Sequence, residues 1–186
     1  MGLRTIVDHV MDIVQNSFKA QARKIVLKIV QTRDSFCFTV EDDGIGMSEE
    51  ELSKVFDPFY TTRDPKIRKV GLGLPFLKQA AEATGGYVEL ESQKGKGTKV
   101  VACFNTNHVD CQEIGDVVGC LVTLLTGTSK GVELCVERCY ENECYSVSTS
   151  QLIEIFSDLS SPVVIKALYE LIEQTEKSLF EGEVSR

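Results

Sequence analysis

The stretch Glu41-Asp42-Asp43-Gly44-Ile45-Gly46-Met47 decides how the rest of the chain is read. It follows Phe36, Phe38 and Val40, which alternate with Cys37 and Thr39 as in a half-buried strand. A carboxylate at a strand end can accept a hydrogen bond from a ligand amine such as adenine N6. Glycines 44 and 46 let the backbone turn sharply and approach a ligand closely. The plainer reading is an acidic turn ahead of a helix, and the flanking segments decide between the two.

Upstream, Leu3, Ile6, Val7, Val10, Ile13, Val14, Ser17 and Phe18 recur at spacings of three and four, which predicts an amphipathic helix. Asp12 and Asn16 stack on one face of it, a carboxylate and a carboxamide that offer oxygens to Mg²⁺. Taken alone, such a pair is more often a solvated helix face. Residues 24–30 form a β-branched run that reads as a strand. Downstream, Ser48 and Glu51 are a capping box for a helix over 49–56. Phe56-Asp57-Pro58-Phe59-Tyr60-Thr61-Thr62-Arg63 then enters an irregular, charged loop running to 70. Its hydroxyls and bases suit a cover closing over phosphates, although a surface loop anchored by Phe56 and Phe59 is the commoner case.

Gly71-Leu72-Gly73-Leu74-Pro75 precedes a helix over 74–84, with Pro75 in its first turn and Gly85-Gly86 ending it. Free N–H groups and the helix dipole at such a start suit an anion. Strands over 87–92 and 98–104 flank the turn Gln93-Lys94-Gly95-Lys96-Gly97 and make a hairpin. The six-residue dinucleotide fingerprint and the Walker lysine loop are both absent.

Each piece is weak alone, but their order over about ninety residues is not. It resembles the ATPase superfamily of gyrase, heat-shock chaperones, histidine kinases and mismatch-repair proteins. Residues 12–20 look like its asparagine box, 42–46 its first glycine box, 56–62 its phenylalanine box and 71–74 its second glycine box. The resemblance covers residues 1 to about 104. It implies a two-layer α/β sandwich of the Bergerat type, a mixed sheet with helices on one face, which the element order also suggests. It implies Asn16 on Mg²⁺, Asp42 on the adenine amine, and Gly44 and Gly46 giving the ring room. Thr61, Thr62 and Arg63 would cover the phosphates, and Gly71, Leu72, Gly73 and Leu74 would contact the nucleotide, the two glycines through backbone N–H groups on the phosphates. Thr98 would help hold Asp42 or a water. Asp12 stands where hydrolytic members carry a glutamate, one methylene longer, so it is read either as a base or as a positioner of Mg²⁺-bound water.

Asn-Ser-x-x-Ala, Asp-Pro-Phe-Tyr-Thr-Thr-Arg and Gly-Leu-Gly-Leu-Pro look nearest to the histidine-kinase branch. They are also similar to stand-alone ATP-binding proteins of anaerobic bacteria encoded beside iron hydrogenase subunits. The implied activity is an ATP-dependent protein kinase, of histidine or serine type, or a slow ATPase, acting on a separate protein. The alternative is a non-catalytic module that senses ATP. A sensor kinase needs an acceptor histidine on a helical hairpin; this chain has only His9, inside the first helix, and His108, in a polar linker.

After Asn105 the character changes, with helices expected over 113–125, 150–156 and 162–179 and strands over 132–136 and 143–147. This reads as a smaller α+β extension, 105–186, where a partner or a second copy would dock. A net charge of −8, with the basic residues densest only between Arg63 and Lys69, argues against nucleic acid as a partner. No apolar run reaches the roughly 20 residues of a membrane span and no signal peptide is evident, so a cytoplasmic location is expected. In that compartment the seven cysteines are expected to be free rather than a disulfide framework, with Cys37, Cys103 and Cys135 as small buried hydrophobes.

Overall fold

The computed structural model describes residues 3–57, 73–128 and 131–181. Helix α1 (Ile6–Lys19) opens on a capping box in which Thr5 Oγ1 accepts from Asp8 N–H and the Asp8 carboxylate accepts from Thr5 N–H. Its apolar stripe is buried and it ends where Gln21 turns to φ 60°. Strands β1 (Lys24–Gln31) and β2 (Ser35–Asp42) follow, then α2 (Glu49–Lys54), capped by Ser48 and Glu51 as the sequence predicts. Helix α3 (Gly73–Ala83) leads to the hairpin β3 (Tyr87–Gln93) and β4 (Gly97–Asn105).

The segment beyond Asn105 joins the same sheet. Helix α4 (Val117–Thr126), strands β5 (Glu133–Tyr140) and β6 (Glu143–Ser148), and helices α5 (Thr149–Phe156) and α6 (Pro162–Glu181) complete the order. The sheet runs β3-β4-β2-β1-β5-β6, antiparallel except where β5 lies parallel to β1, with Lys24 opposite Glu133. One face carries Ile25, Leu27 and Ile29 of β1, Phe36, Phe38 and Val40 of β2, Val100, Ala102 and Phe104 of β4, and Leu134 and Val136 of β5. All are buried beneath the helices in one cluster. The structure is thus the α/β sandwich that the motif order implied.

Two boundaries moved for visible reasons. The helix expected from residue 113 starts at Val117, because the carbonyls of Glu113 and Ile114 accept from Ile6 N–H and Val7 N–H at 2.9 and 3.0 Å. Those are donors that the first turn of α1 cannot satisfy itself. Gly115, at φ 91°, breaks the path, and Asp116 then caps Gly119 N–H at 2.8 Å. Strand β5 runs past Val136 to Tyr140, because Arg138, which looks like a surface residue in the sequence, is wholly buried among partners.

The expectation of free cysteines is corrected. Cys37 and Cys103 stand directly opposite across β2 and β4 and form a disulfide, and so do Cys139 and Cys144 across β5 and β6. Both pairs sit on the sheet face away from the helices, where residues in register point the same way. Cys111, Cys120 and Cys135 are free; burial pushes the Cys120 thiol up to about 12. Among the described residues no helix is long and apolar enough to cross a membrane.

Candidate functional site

Asp42 ends β2 beside the C-terminal half of α1. Its Oδ2 accepts from Ser17 Oγ at 2.6 Å and its Oδ1 from Gly44 N–H at 2.9 Å. Each carboxylate oxygen has more than one acceptor direction, so both bonds orient the group without exhausting it. Ser17 is 3% exposed on the apolar stripe of α1. It was not singled out for the site, although a hydroxyl among Ile13, Val14 and Phe18 has to find a partner.

The turn after Asp42 is tied down on both sides. Asp43 Oδ1 accepts from Arg23 N–H and Lys24 N–H at 2.7 and 2.9 Å, and the bond from Lys24 foremost holds its carboxyl below the usual range. Ile45 N–H donates to Ala20 O at 2.9 Å. Gly46 has φ 60°, and a Cβ there would run into the carbonyl of Gln93 in the β3–β4 turn. The glycine is needed for backbone against backbone, which the expectation of room for a ring did not include. Ser92 Oγ joins the two turns, accepting from Met47 N–H at 2.8 Å and donating to Gly97 O at 2.9 Å. A hydroxyl has one proton, so Thr98 Oγ1, 2.8 Å from Ser92 Oγ, must be the donor in that pair. Thr98 lies opposite Asp42 in the register, but the hydroxyl bonded to Asp42 is that of Ser17.

Asp12 and Asn16 sit one turn apart on α1. Asn16 Nδ2 donates to Asp12 Oδ2 at 3.4 Å, which turns Asn16 Oδ1, the atom a hard cation takes, away from the carboxylate. The first residue of α3, Gly73, packs so closely that a Cβ would collide with the same Asp12 oxygen. A carboxylate thus lies against the start of a helix whose first N–H groups lack helical partners. An amide oxygen and a carboxylate on one face are a donor set that fits Mg²⁺. Leu74 packs against the core from the same turn. Thr61, Thr62, Arg63, Gly71 and Leu72 lie outside the described residues.

His9, one turn before Asp12, is 1% exposed. Gln112 Nε2 donates to Leu3 O, so its Oε1 faces His9 Nε2 at 3.1 Å and that nitrogen carries the proton. Burial lowers the pKa of His9, against the opposing pull of Gln112, Asp12 and Asp8. A base depressed on folding binds its proton first in the unfolded chain. Its contribution is therefore complete above the unfolded value near 6.5 and is lost as pH falls below it. Urea unfolding is expected to show stability falling from pH 7 to 5 by up to about 1.4 kcal/mol per pH unit from this one group. His9→Gln is expected to flatten that slope; an unchanged slope would remove His9 as the cause.

The sequence matches the family described as histidine kinase-, DNA gyrase B- and HSP90-like ATPase over residues 2–108. Similar curated proteins are sensor kinases. The chain is 32% identical to the sensor histidine kinase CpxA of Escherichia coli over 93 residues, which is 48% of this chain and 20% of CpxA. It is 40% identical to WalK of Bacillus subtilis over 65 residues, 33% of this chain and 11% of WalK. With the CAI-1 autoinducer sensor kinase/phosphatase CqsS of Vibrio cholerae it shares 32% over 106 residues, 55% of this chain and 15% of that one. The chain therefore spans a fifth or less of the curated relatives it matches. The N-terminal domain of a DNA repair protein superposes with a TM-score of 0.55 at 14% identity, covering 83% of this chain and 57% of that one. That likeness concerns the fold. With the family match covering more than half of its length and the sheet and motifs in place, the chain belongs to the histidine kinase-, DNA gyrase B- and HSP90-like ATPases.

Proposed function

We propose that the chain binds Mg-ATP between α1, the end of β2 and the start of α3, and acts as a kinase or slow ATPase on a separate protein. The observation that supports this most is the Asp42 carboxylate, fixed by Ser17 and Gly44 with acceptor capacity left for an adenine amine. In this reading Asn16 Oδ1 is a Mg²⁺ ligand, and the ion, when bound, neutralises charge on the triphosphate. The N–H groups from Gly71 to Leu74 hold the phosphates and Thr61, Thr62 and Arg63 close over them. Asp12 orients or deprotonates the attacking group.

Phosphoryl transfer depends on an acceptor placed in line with the γ-phosphate. His9 is unsuited, because it is buried on the same rigid helix as Asn16, about two turns away, with Nε2 held by Gln112. His108 is exposed beside Asp110, and the described residues form no helical hairpin around it. The acceptor is then on a partner, and the segment beyond Asn105 is where that partner or a second copy docks. The resemblance of the Asn-Ser-x-x-Ala and Gly-Leu-Gly-Leu-Pro motifs to ATP-binding proteins encoded beside iron hydrogenases makes a redox-enzyme subunit the first partner to try. The contact of Asp12 with Asn16 and Gly73 favours a second reading, in which the site senses ATP and hydrolyses none.

The test incubates the chain with γ-labelled ATP and Mg²⁺, scoring acid-labile and acid-stable label and ADP release, with and without co-purifying proteins. The expected result is no stable phosphohistidine on the chain alone and ADP release that rises with a partner. Asp12→Asn is expected to abolish that release while ATP still binds. ADP release that stays at background with every partner would leave the sensing reading. Strong acid-labile self-labelling, lost on changing His9 or His108, would overturn the need for a partner.

A further inference from the structure

The open face of the sheet carries a row of side chains remote from the nucleotide site. Directly opposed residues across the six strands are Tyr87, Cys103, Cys37, Val30, Cys139 and Cys144, so both disulfides lie in one row. The two pairs differ in what stands beside them. Two residues along on the same face, Cys37 and Cys103 have Thr39 and Val101, whereas Cys139 has Glu137. Glu137 Oε1 is 3.8 Å from Cys139 Sγ. Ligand atoms of Glu137, Cys139 and Cys144 all fall within 4.8 Å of one another, the one such set among the described residues.

We propose that the reduced Cys139 and Cys144, with Glu137, form a binding site for a thiophilic divalent cation, Zn²⁺ or one like it. Two sulfurs and a carboxylate oxygen are a donor set that Zn²⁺ takes, with water in the fourth position. Tetrahedral bonds of about 2.3 Å to sulfur and about 2.0 Å to oxygen set S···O near 3.5 Å and S···S near 3.8 Å, both approximate. The observed S···O of 3.8 Å is a few tenths from that. The Cα atoms of the two cysteines are 4.1 Å apart on a short hairpin, so sulfurs freed from each other reach this separation by side-chain rotation alone. Lys28 Nζ, 2.9 Å from Glu137 Oε1, together with the dication balances two thiolates and one carboxylate.

The disulfide and the ion compete for the same two sulfurs. A dithiol reductant passes two electrons and two protons to the bridge; its S–S bond breaks, two thiols form, and the reductant closes its own disulfide. Ion binding then releases the two thiol protons. The site is therefore present only in the reduced chain.

The test titrates the whole chain, reduced with a phosphine and freed of it, with Cd²⁺, whose thiolate charge-transfer absorption reports sulfur ligation, and then with Zn²⁺ in competition. One ion per chain is expected to bind the reduced protein and none the oxidised protein. Cys144→Ser is expected to weaken binding at least about 100-fold and Glu137→Gln about tenfold, on the scale by which ligand-shell changes act. Cys37→Ser is expected to change nothing. Equal binding by oxidised and reduced protein, binding that survives Cys144→Ser, or indifference to Glu137→Gln would each overturn the site. Loss on Cys37→Ser would move it to the other pair and overturn it equally.

Discussion

Asp42→Asn is expected to weaken ATP binding roughly tenfold to a hundredfold and to bring the ATP and GTP affinities together, with the fold intact. The reason is the two-sided hold on the carboxylate. Gly44 N–H can only donate, so the one carbonyl oxygen of an asparagine must face it, at the place where Asp42 Oδ1 now lies 2.9 Å away. The amide nitrogen then falls toward Ser17 Oγ, which can reverse its role and accept. Only the second lone pair of that one oxygen is left to accept from an adenine amine, the negative charge is gone, and a donor stands where Asp42 Oδ2 was. A hydrogen bond to a charged group is worth about 1.5–3 kcal/mol, which sets the factor. Guanine suffers less, because its O6 meets a carboxylate in the native site and an N–H in the variant. Ser17→Ala is expected to give a smaller loss in the same direction, since it frees Asp42 without removing its charge. Calorimetry with both nucleotides on each protein measures this, and circular dichroism checks the fold. Unchanged ATP affinity in Asp42→Asn would sink the adenine assignment.

What could be read beforehand, and what could not, divides by the distance over which the information travels. The elements from β1 to β4 lie within two residues of their expected bounds, and α1 starts three residues after Leu3, because 3.6- and 2-residue periods, a capping box at Ser48 and the paired Gly85-Gly86 are local signals. Asp42, Asn16 and Asp12 were legible as motif residues for the same reason. The partners of those residues were not. Ser17 reaches Asp42 across 25 positions only once α1 packs beside the end of β2, and Gly46 meets Gln93 only once β2, β3 and β4 are in register. The cysteines illustrate the limit most clearly. Cys37 and Cys103 are 66 positions apart, and only the β2–β4 register sets them opposite each other. The β5–β6 hairpin does the same for Cys139 and Cys144 at a separation of 5, because β5 runs on to Tyr140. The strand expected over 132–136 stops before Cys139, because nothing local in the sequence shows that Arg138 is buried. Burial of an arginine is a tertiary fact, rare unless the charge is paired.

That arginine gives the largest stability effect expected in the molecule. Arg138 points from β5 into the helical layer, its side chain fully buried. Its Nε lies 3.3 Å from the Glu176 carboxylate on α6, Nη1 donates to Cys139 O at 2.7 Å, and Nη2 donates to Gln31 Oε1 at 2.6 Å. Tyr145 O–H completes the group by donating to Glu176 Oε1 at 2.6 Å; burial foremost, then the acceptor, pushes that phenol far up, so it stays a donor. The rings of Phe36 and Phe180 lie 6.0 and 5.9 Å from the guanidinium carbon. Removing Glu176 alone strands a positive charge in this apolar surround, and breaking a buried pair from one side costs about 3–5 kcal/mol. Glu176→Ala is therefore expected to lower the urea-unfolding free energy by that amount, a large share of the roughly 5–15 kcal/mol of an ordinary domain. The double change Arg138→Met with Glu176→Leu removes both desolvation penalties together and is expected to cost far less than either single change. Tyr145→Phe leaves the ion pair and is expected to fall between. Losses that simply add in the double variant would mean that the two side chains do not form a unit. Strand β5 lies parallel on β1, and β1 pairs with the strand that ends in Asp42, so loosening α6 at Glu176 unpins the edge of the same sheet that positions the nucleotide site.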